Sequence, residues 1–146
     1  FRRVLFRSCF AVVVSFYRGN EMKIPSLLVG RIFLAIPFLV LGLMHFMAGA
    51  QMAGIVPSWI PGGVLWVYVT GLANLLAGVA FLSGKNVKLA GQLTALMVLI
   101  FIFTIHLPAM MSATDDAAKQ MAMLGILKDF GLAGGALLMS HIYNEG

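Results

Sequence analysis

The chain has 146 residues, 61% of them hydrophobic and only 10% charged, with a mean hydropathy of +0.99. A water-soluble domain carries about 25% charged residues, so the composition leaves no room for an ordinary soluble enzyme. The formal net charge of +5 would normally suggest an acidic partner, but its distribution along the chain argues otherwise.

Residues 1–21 hold much of that charge and read as a non-native leader. The opening octapeptide, FRRVLFRS, looks like the in-frame translation of a sequencing-library adapter. Met22 is the expected initiator and opens MKIPSLLVGRIF; Arg18 and Gly19 fall where a purine-rich ribosome-binding site would be encoded. A signal peptide is the rival reading: Arg2, Arg3 and Arg7 precede the apolar run Cys9–Tyr17, but no small-residue cleavage site follows. Without Arg2, Arg3, Arg7, Arg18 and Glu21 the charge falls from +5 to +2, and Cys9, the one cysteine, is lost. Disulfides, thiolate catalysis and cysteine metal sites then go with it. No basic patch for nucleic acid remains.

Four apolar stretches follow, near residues 26–47, 62–83, 87–107 and 120–142. At the α-helical rise each can cross a hydrocarbon core about 30 Å thick. The expected fold is all-α: one domain, residues 22–146, forming an integral membrane four-helix bundle that runs up-down-up-down.

The first span opens with Arg31 about a turn and a half from its end. This arginine is expected to snorkel to the inner interface and to pair with a carboxylate. His45 lies near the other end of the span. The link Ala48–Pro61 has no charge and contains Pro57, Trp59 and Pro61, and Trp66 opens the second span. Tryptophans there read as an interfacial aromatic belt, and the link is expected in the headgroup region or dipping back.

In the second span Gly71, Asn74 and Gly78 share one helical face, which predicts a close helix–helix seam held by the amide. Ser83-Gly84-Lys85-Asn86 predicts a tight turn with a glycine stop, making spans two and three antiparallel neighbours. The third span carries Gln92, Thr94 and Thr104 as polar contacts, with His106 at the same depth as His45. In the next link Thr114 is the expected N-cap, with Asp115 and Asp116 in the first turn.

The fourth span holds Lys128 and Asp129 near its centre. Adjacent helical residues point about 100° apart, so Asp129 is expected to face the interior while Lys128 reaches toward the outer surface. A carboxylate at that depth needs a partner or a proton, and an internal ion pair that orders the bundle is one reading. Gly125, Gly131, Gly134 and Gly135 thin this helix for close packing.

The charges sort by side. Lys23, Arg31, Lys85 and Lys88 lie at one end of the spans, and the uncharged link and the link holding Asp115, Asp116 and Lys119 at the other. Positive charge stays cytoplasmic, so both termini are expected inside.

Ionisable groups within spans are costly and mark functional sites. The candidate polar pocket is His45, Asn74, His106 and Asp129, with Arg31 and Lys128 as ion-pair or interface charges. Two histidines at one depth could relay protons, contact a quinone head group or ligate haem; haem is disfavoured because only the matching depth speaks for it. No metal site is expected, since zinc needs three or four ligands and the ten methionines are scattered. No P-loop, GxSxG, HExxH, voltage-sensor run or selectivity filter is present.

GLMHF at Gly42–Phe46, VPSWIPGG at Val56–Gly63, W-x-Y-x-T-G at Trp66–Gly71, AGVAFLSGK at Ala77–Lys85 and HLP closing the third span follow one another in order. This pattern resembles the DoxX family of small four-helix bacterial membrane proteins, from about residue 28 to 140. In that family a lysine often stands at the place of His45, and an acidic residue near that of Asn74. The resemblance implies a multi-pass protein of the bacterial inner membrane, acting as an accessory subunit or partner in a quinone-linked redox system. It carries no catalytic residue over to this chain. The expected partners are the lipid bilayer and redox-complex proteins or further copies of the chain. A scaffold without chemistry, or a small proton or solute carrier, are the alternatives.

Overall fold

The computed structural model describes residues 24–143. The leader assigned to residues 1–21, with Met22 and Lys23, lies outside them. The chain divides into a unit of residues 1–30 and a unit of residues 31–146. Of the first, only the start of a helix is described; all packing below belongs to the second.

Helix α1 spans Ile24–Met47, α2 Gly49–Met52, α3 Gly63–Ser83, α4 Val87–Phe101, α5 Leu107–Ser112 and α6 Asp116–Ile142. No strand occurs among the described residues. Four helical segments are long and apolar enough to cross a membrane: Ser26–Met47, Gly63–Ser83, Val87–Ser112 and Asp116–Ile142.

The third segment does not close at His106-Leu107-Pro108 as its sequence suggests. Pro108 has no N–H to offer the Thr104 carbonyl, and its ring would crowd that turn. The helix widens just before it into a π turn at Ile102–His106, with the Leu107 N–H donating to the Ile102 carbonyl five residues back. It then continues as α5, with Pro108 in the first turn, where a missing donor costs nothing.

The turn between α3 and α4 forms as its residues predict. Gly84 takes φ +76° and its N–H donates to the Ala80 carbonyl at 3.0 Å. The left-handed conformation asks for glycine there. Helix α6 is capped by Asp115 rather than Thr114: its carboxylate accepts from the Ala118 N–H at 2.8 Å. The uncharged link folds as α2 and a 3₁₀ turn, Ala53–Ile55. Trp59 stands exposed, while the Trp66 indole donates to the Pro61 carbonyl at 3.0 Å.

The helices meet through small residues. A Cβ on Gly78 would lie 2.6 Å from Leu39, and one on Gly71 2.6 Å from the His45 Cβ. The expected seam is therefore built by its glycines, which bring α1 and α3 close. The Asn74 amide is buried, yet it makes no hydrogen bond to a described residue. On the other side Gly91 of α4 lies against the Ala136 carbonyl of α6, and the Ser140 hydroxyl donates to the Lys88 carbonyl at 3.0 Å. Gly131 and Gly134, in contrast, have nothing within 4 Å and do not serve packing.

One buried cluster draws on all four long helices: Ala35 and Phe38, Ala77 and Phe81, Ala95 and Val98, Ala133 and Ala136. Phe38 and Phe81 are its largest members, with ring centroids 5.8 Å apart. The outward faces are apolar as well. Phe33, Leu65, Leu76, Phe103 and Leu138 are each at least 60% exposed. A water-facing surface seldom carries so much contiguous apolar area.

Candidate functional site

Asp129 stands at the middle of α6 and is 2% exposed. A carboxylate so placed is costly unless its oxygens are satisfied. Both are. His106 Nε2 lies 3.2 Å from Oδ2, and Lys128 Nζ lies 3.0 Å from Oδ1.

The two partners come from different directions. His106 ends the π turn, so the irregularity that Pro108 imposes also aims the imidazole at α6. Such turns recur at functional sites. Lys128 is the residue before Asp129, and the sequence suggested that it reaches away. Instead its flexible stem folds back along the helix, and the ammonium meets the carboxylate while its side chain stays about half exposed. The 100° between adjacent residues limits Cβ directions, not the end of a four-carbon chain. The Lys128–Asp129 contact is thus local to one helix; the tie between helices is His106–Asp129.

With Nε2 facing a carboxylate, the neutral imidazole carries its proton there and leaves Nδ1 as an acceptor. Gly125 makes this geometry possible. A Cβ at that position would stand 2.7 Å from Nδ1 and 2.9 Å from Cε1 of His106. Residues 125 and 129 are one turn apart on the same face, so the glycine clears the space that the ring occupies beside the carboxylate.

The other candidate residues are not joined to this cluster. His45 Nδ1 donates to the Leu41 carbonyl of its own helix at 2.7 Å, and its Cβ packs on Gly71. No hydrogen bond or ion pair links His45 or Asn74 to His106 or Asp129 among the described residues. Among the described residues His45 is thus bonded to the backbone of its own helix, and no hydrogen bond joins the two histidines.

Arg31 has a different role from the one expected. No described carboxylate pairs with it. Its Nε and Nη2 donate to the Phe81 and Leu82 carbonyls at 2.8 and 2.7 Å, and Nη1 to the Tyr143 hydroxyl at 2.8 Å. The carbonyls closing α3 are among the helix's unsatisfied acceptors and carry its negative end. Arg31 therefore caps α3 while fastening the end of α6, with its guanidinium 5.7 Å from the Tyr143 ring centroid.

Tyr143 was missed from sequence, and Gly125 was read there only as one of four glycines that thin the helix, not as the seat of the His106 ring. Gly125 had a signal in its spacing, one turn before a buried acid. Tyr143 had none, because nothing local indicates which distant arginine meets it.

Residues 34–128 match the family described as Domain of unknown function (DUF8561). The chain belongs to this family. The match covers His45, Asn74, His106 and Lys128 and stops one residue before Asp129. No curated protein and no solved structure matches the chain.

Proposed function

We propose that this family member is a multi-pass protein of the bacterial inner membrane and serves as the membrane subunit or partner of a quinone-linked redox system. Several contacts support an up-down-up-down course. Residues of α1 and α3 meet in reverse order, Arg31 with Leu82, Leu39 with Gly78 and His45 with Gly71. Those of the third apolar segment and α6 do likewise, Lys88 of α4 with Ser140 and His106 of the π turn with Asp129. Arg31, Lys85 and Lys88 fall at one end of this arrangement, and Asp115 and Asp116 at the other. The positive-inside rule makes the first end cytoplasmic, and with it both termini.

The observation that carries the redox reading is the buried carboxylate shared by an imidazole and an ammonium at mid-helix. Reducing a quinone to its hydroquinone takes two electrons and two protons. His106 and Asp129 form a short proton path in a region where water is scarce, and Lys128 compensates the charge of the carboxylate. As the electrons arrive, the imidazole, protonated on both nitrogens, would donate from Nδ1–H to a quinone oxygen while Nε2–H stays on Asp129, and a proton taken up from water at the exposed side of the cluster would restore it before the second transfer. The electrons come from a cofactor-bearing protein partner, which agrees with the accessory role that the DoxX resemblance implies.

The test is quinone retention. The full chain, extracted in mild detergent, is expected to carry a quinone measurable by mass spectrometry. His106→Ala and Asp129→Asn variants of normal helix content should lose it. A chain that carries no quinone, or variants that retain it equally, would remove this reading. Stable protein partners tolerating both substitutions would favour a scaffold instead.

A further inference from the structure

Helices α3 and α4 line a groove of about 590 Å³ whose floor borders the core cluster at Ala77 and Ala90. Ser83, Lys85 and Asn86 form its mouth at the interhelical turn. Its depth is apolar, walled by Leu76, Leu89 and Leu93 over a floor of Ala73, Ala77 and Ala90. From Ala73 to Lys85 the groove follows α3 for about 18 Å. An occupant that fits this zoning has a long apolar part and a head that seeks positive charge.

The charge at the mouth selects the head. Lys85 is exposed there, Lys88 is exposed three residues further along the chain, outside the lining, and the Arg31 guanidinium lies against Gly84 of the turn. The acids among the described residues, Asp115, Asp116 and Asp129, all lie on α6 or just before it, away from this turn. Basic pockets between helices at the cytoplasmic interface suit anionic lipid head groups. A second copy of the chain would bring the same lysines to the same end, which disfavours it as the occupant.

We infer that this groove is a binding site for an anionic phospholipid, with one acyl chain along α3 and α4 and the phosphate at Lys85. The site rests on the membrane reading but not on the redox one. It is separate from the His106–Asp129 cluster.

Native mass spectrometry of the full chain in mild detergent, with equal phosphatidylglycerol and phosphatidylcholine added, tests it. Phosphatidylglycerol adducts should exceed phosphatidylcholine adducts about fivefold, the effect of roughly one interfacial lysine. Lys85→Gln should remove that preference, and Ala80→Leu, which fills the groove wall, should lower both kinds of adduct. Inorganic phosphate should not displace the lipid. Equal adducts, a preference unchanged in Lys85→Gln, displacement by phosphate, or dimers in place of lipid adducts would each overturn the site. Lys85 is exposed, so its substitution reads the site without depending on folding. Extraction of the chain from vesicles by alkaline carbonate would instead overturn the membrane reading, and this site with it.

Discussion

Substituting Gly125 separates the geometry of the site from the stability of its helix. In Gly125→Ala the new methyl would stand 2.7 Å from His106 Nδ1. Ordinary carbon contacts begin near 3.5 Å, so the ring has to retreat by about 0.8 Å. Its Nε2 starts 3.2 Å from Asp129, and a retreat of that size takes it beyond hydrogen-bond reach. A hydrogen bond to a charged group contributes about 1.5–3 kcal/mol. The helix itself gains up to about 1 kcal/mol from alanine in place of glycine. Gly131→Ala is the matched control, because nothing lies within 4 Å of that position. Both variants receive the helix gain, and only Gly125→Ala loses the contact. Gly125→Ala should therefore be less stable than Gly131→Ala by about 1.5–3 kcal/mol, read as unfolding in a denaturing-detergent titration. The ¹⁵N resonances of His106 should shift in the first variant and stay in place in the second. Equal stabilities together with an unmoved His106 spectrum would refute the claim that Gly125 seats the imidazole.

Arg31→Ala should cost about 2–4 kcal/mol, since it strips two carbonyls of α3 and the Tyr143 hydroxyl of their donors. Tyr143→Phe should cost about 1 kcal/mol, and the double variant should lose less than the sum of the two. Additive losses in the same titration would show that the two residues act separately. A cytoplasm-active reporter fused after Glu145 should be active, and one inserted after Thr114 inactive; the reverse pattern would contradict the proposed orientation.

The four apolar helices were legible because each announces itself locally, through a run of about 20 apolar residues ended by glycine, proline or charge. Gly84 was legible for the same reason: a glycine between two helical patterns has few other uses. Burial of Asp129 could also be read, since a lone acid at mid-span has nowhere cheaper to go than inward. Two partners could be named, His106 in the same candidate pocket and Lys128 as an ion-pair charge, but not how either reaches the carboxylate. His106 reaches Asp129 because Pro108 forces a π turn upstream, and a change of register is invisible to a reading that assumes a uniform helix. Equal depth allowed either a His45–His106 pair or histidines bonded to backbone, and depth alone could not choose, because the azimuth of each ring depends on which helices pack; His45 bonds the Leu41 carbonyl. Lys128 was legible as an ion-pair charge, but its expected reach toward the outer surface was not, because its Cβ direction says little about where its ammonium ends. Arg31 was legible as a cation near the end of its span, while its carbonyl partners depended on α3 ending beside it.

The central claim, that the carboxylate shared by His106 and Lys128 serves a quinone, is tested most directly by titrating a short-chain quinone into the full chain in lipid nanodiscs. Calorimetry should find saturable binding at one site per chain, weakened about tenfold, or about 1.4 kcal/mol, in both His106→Ala and Asp129→Asn. Heat that only tracks partitioning into lipid, identical for the three proteins, would contradict it.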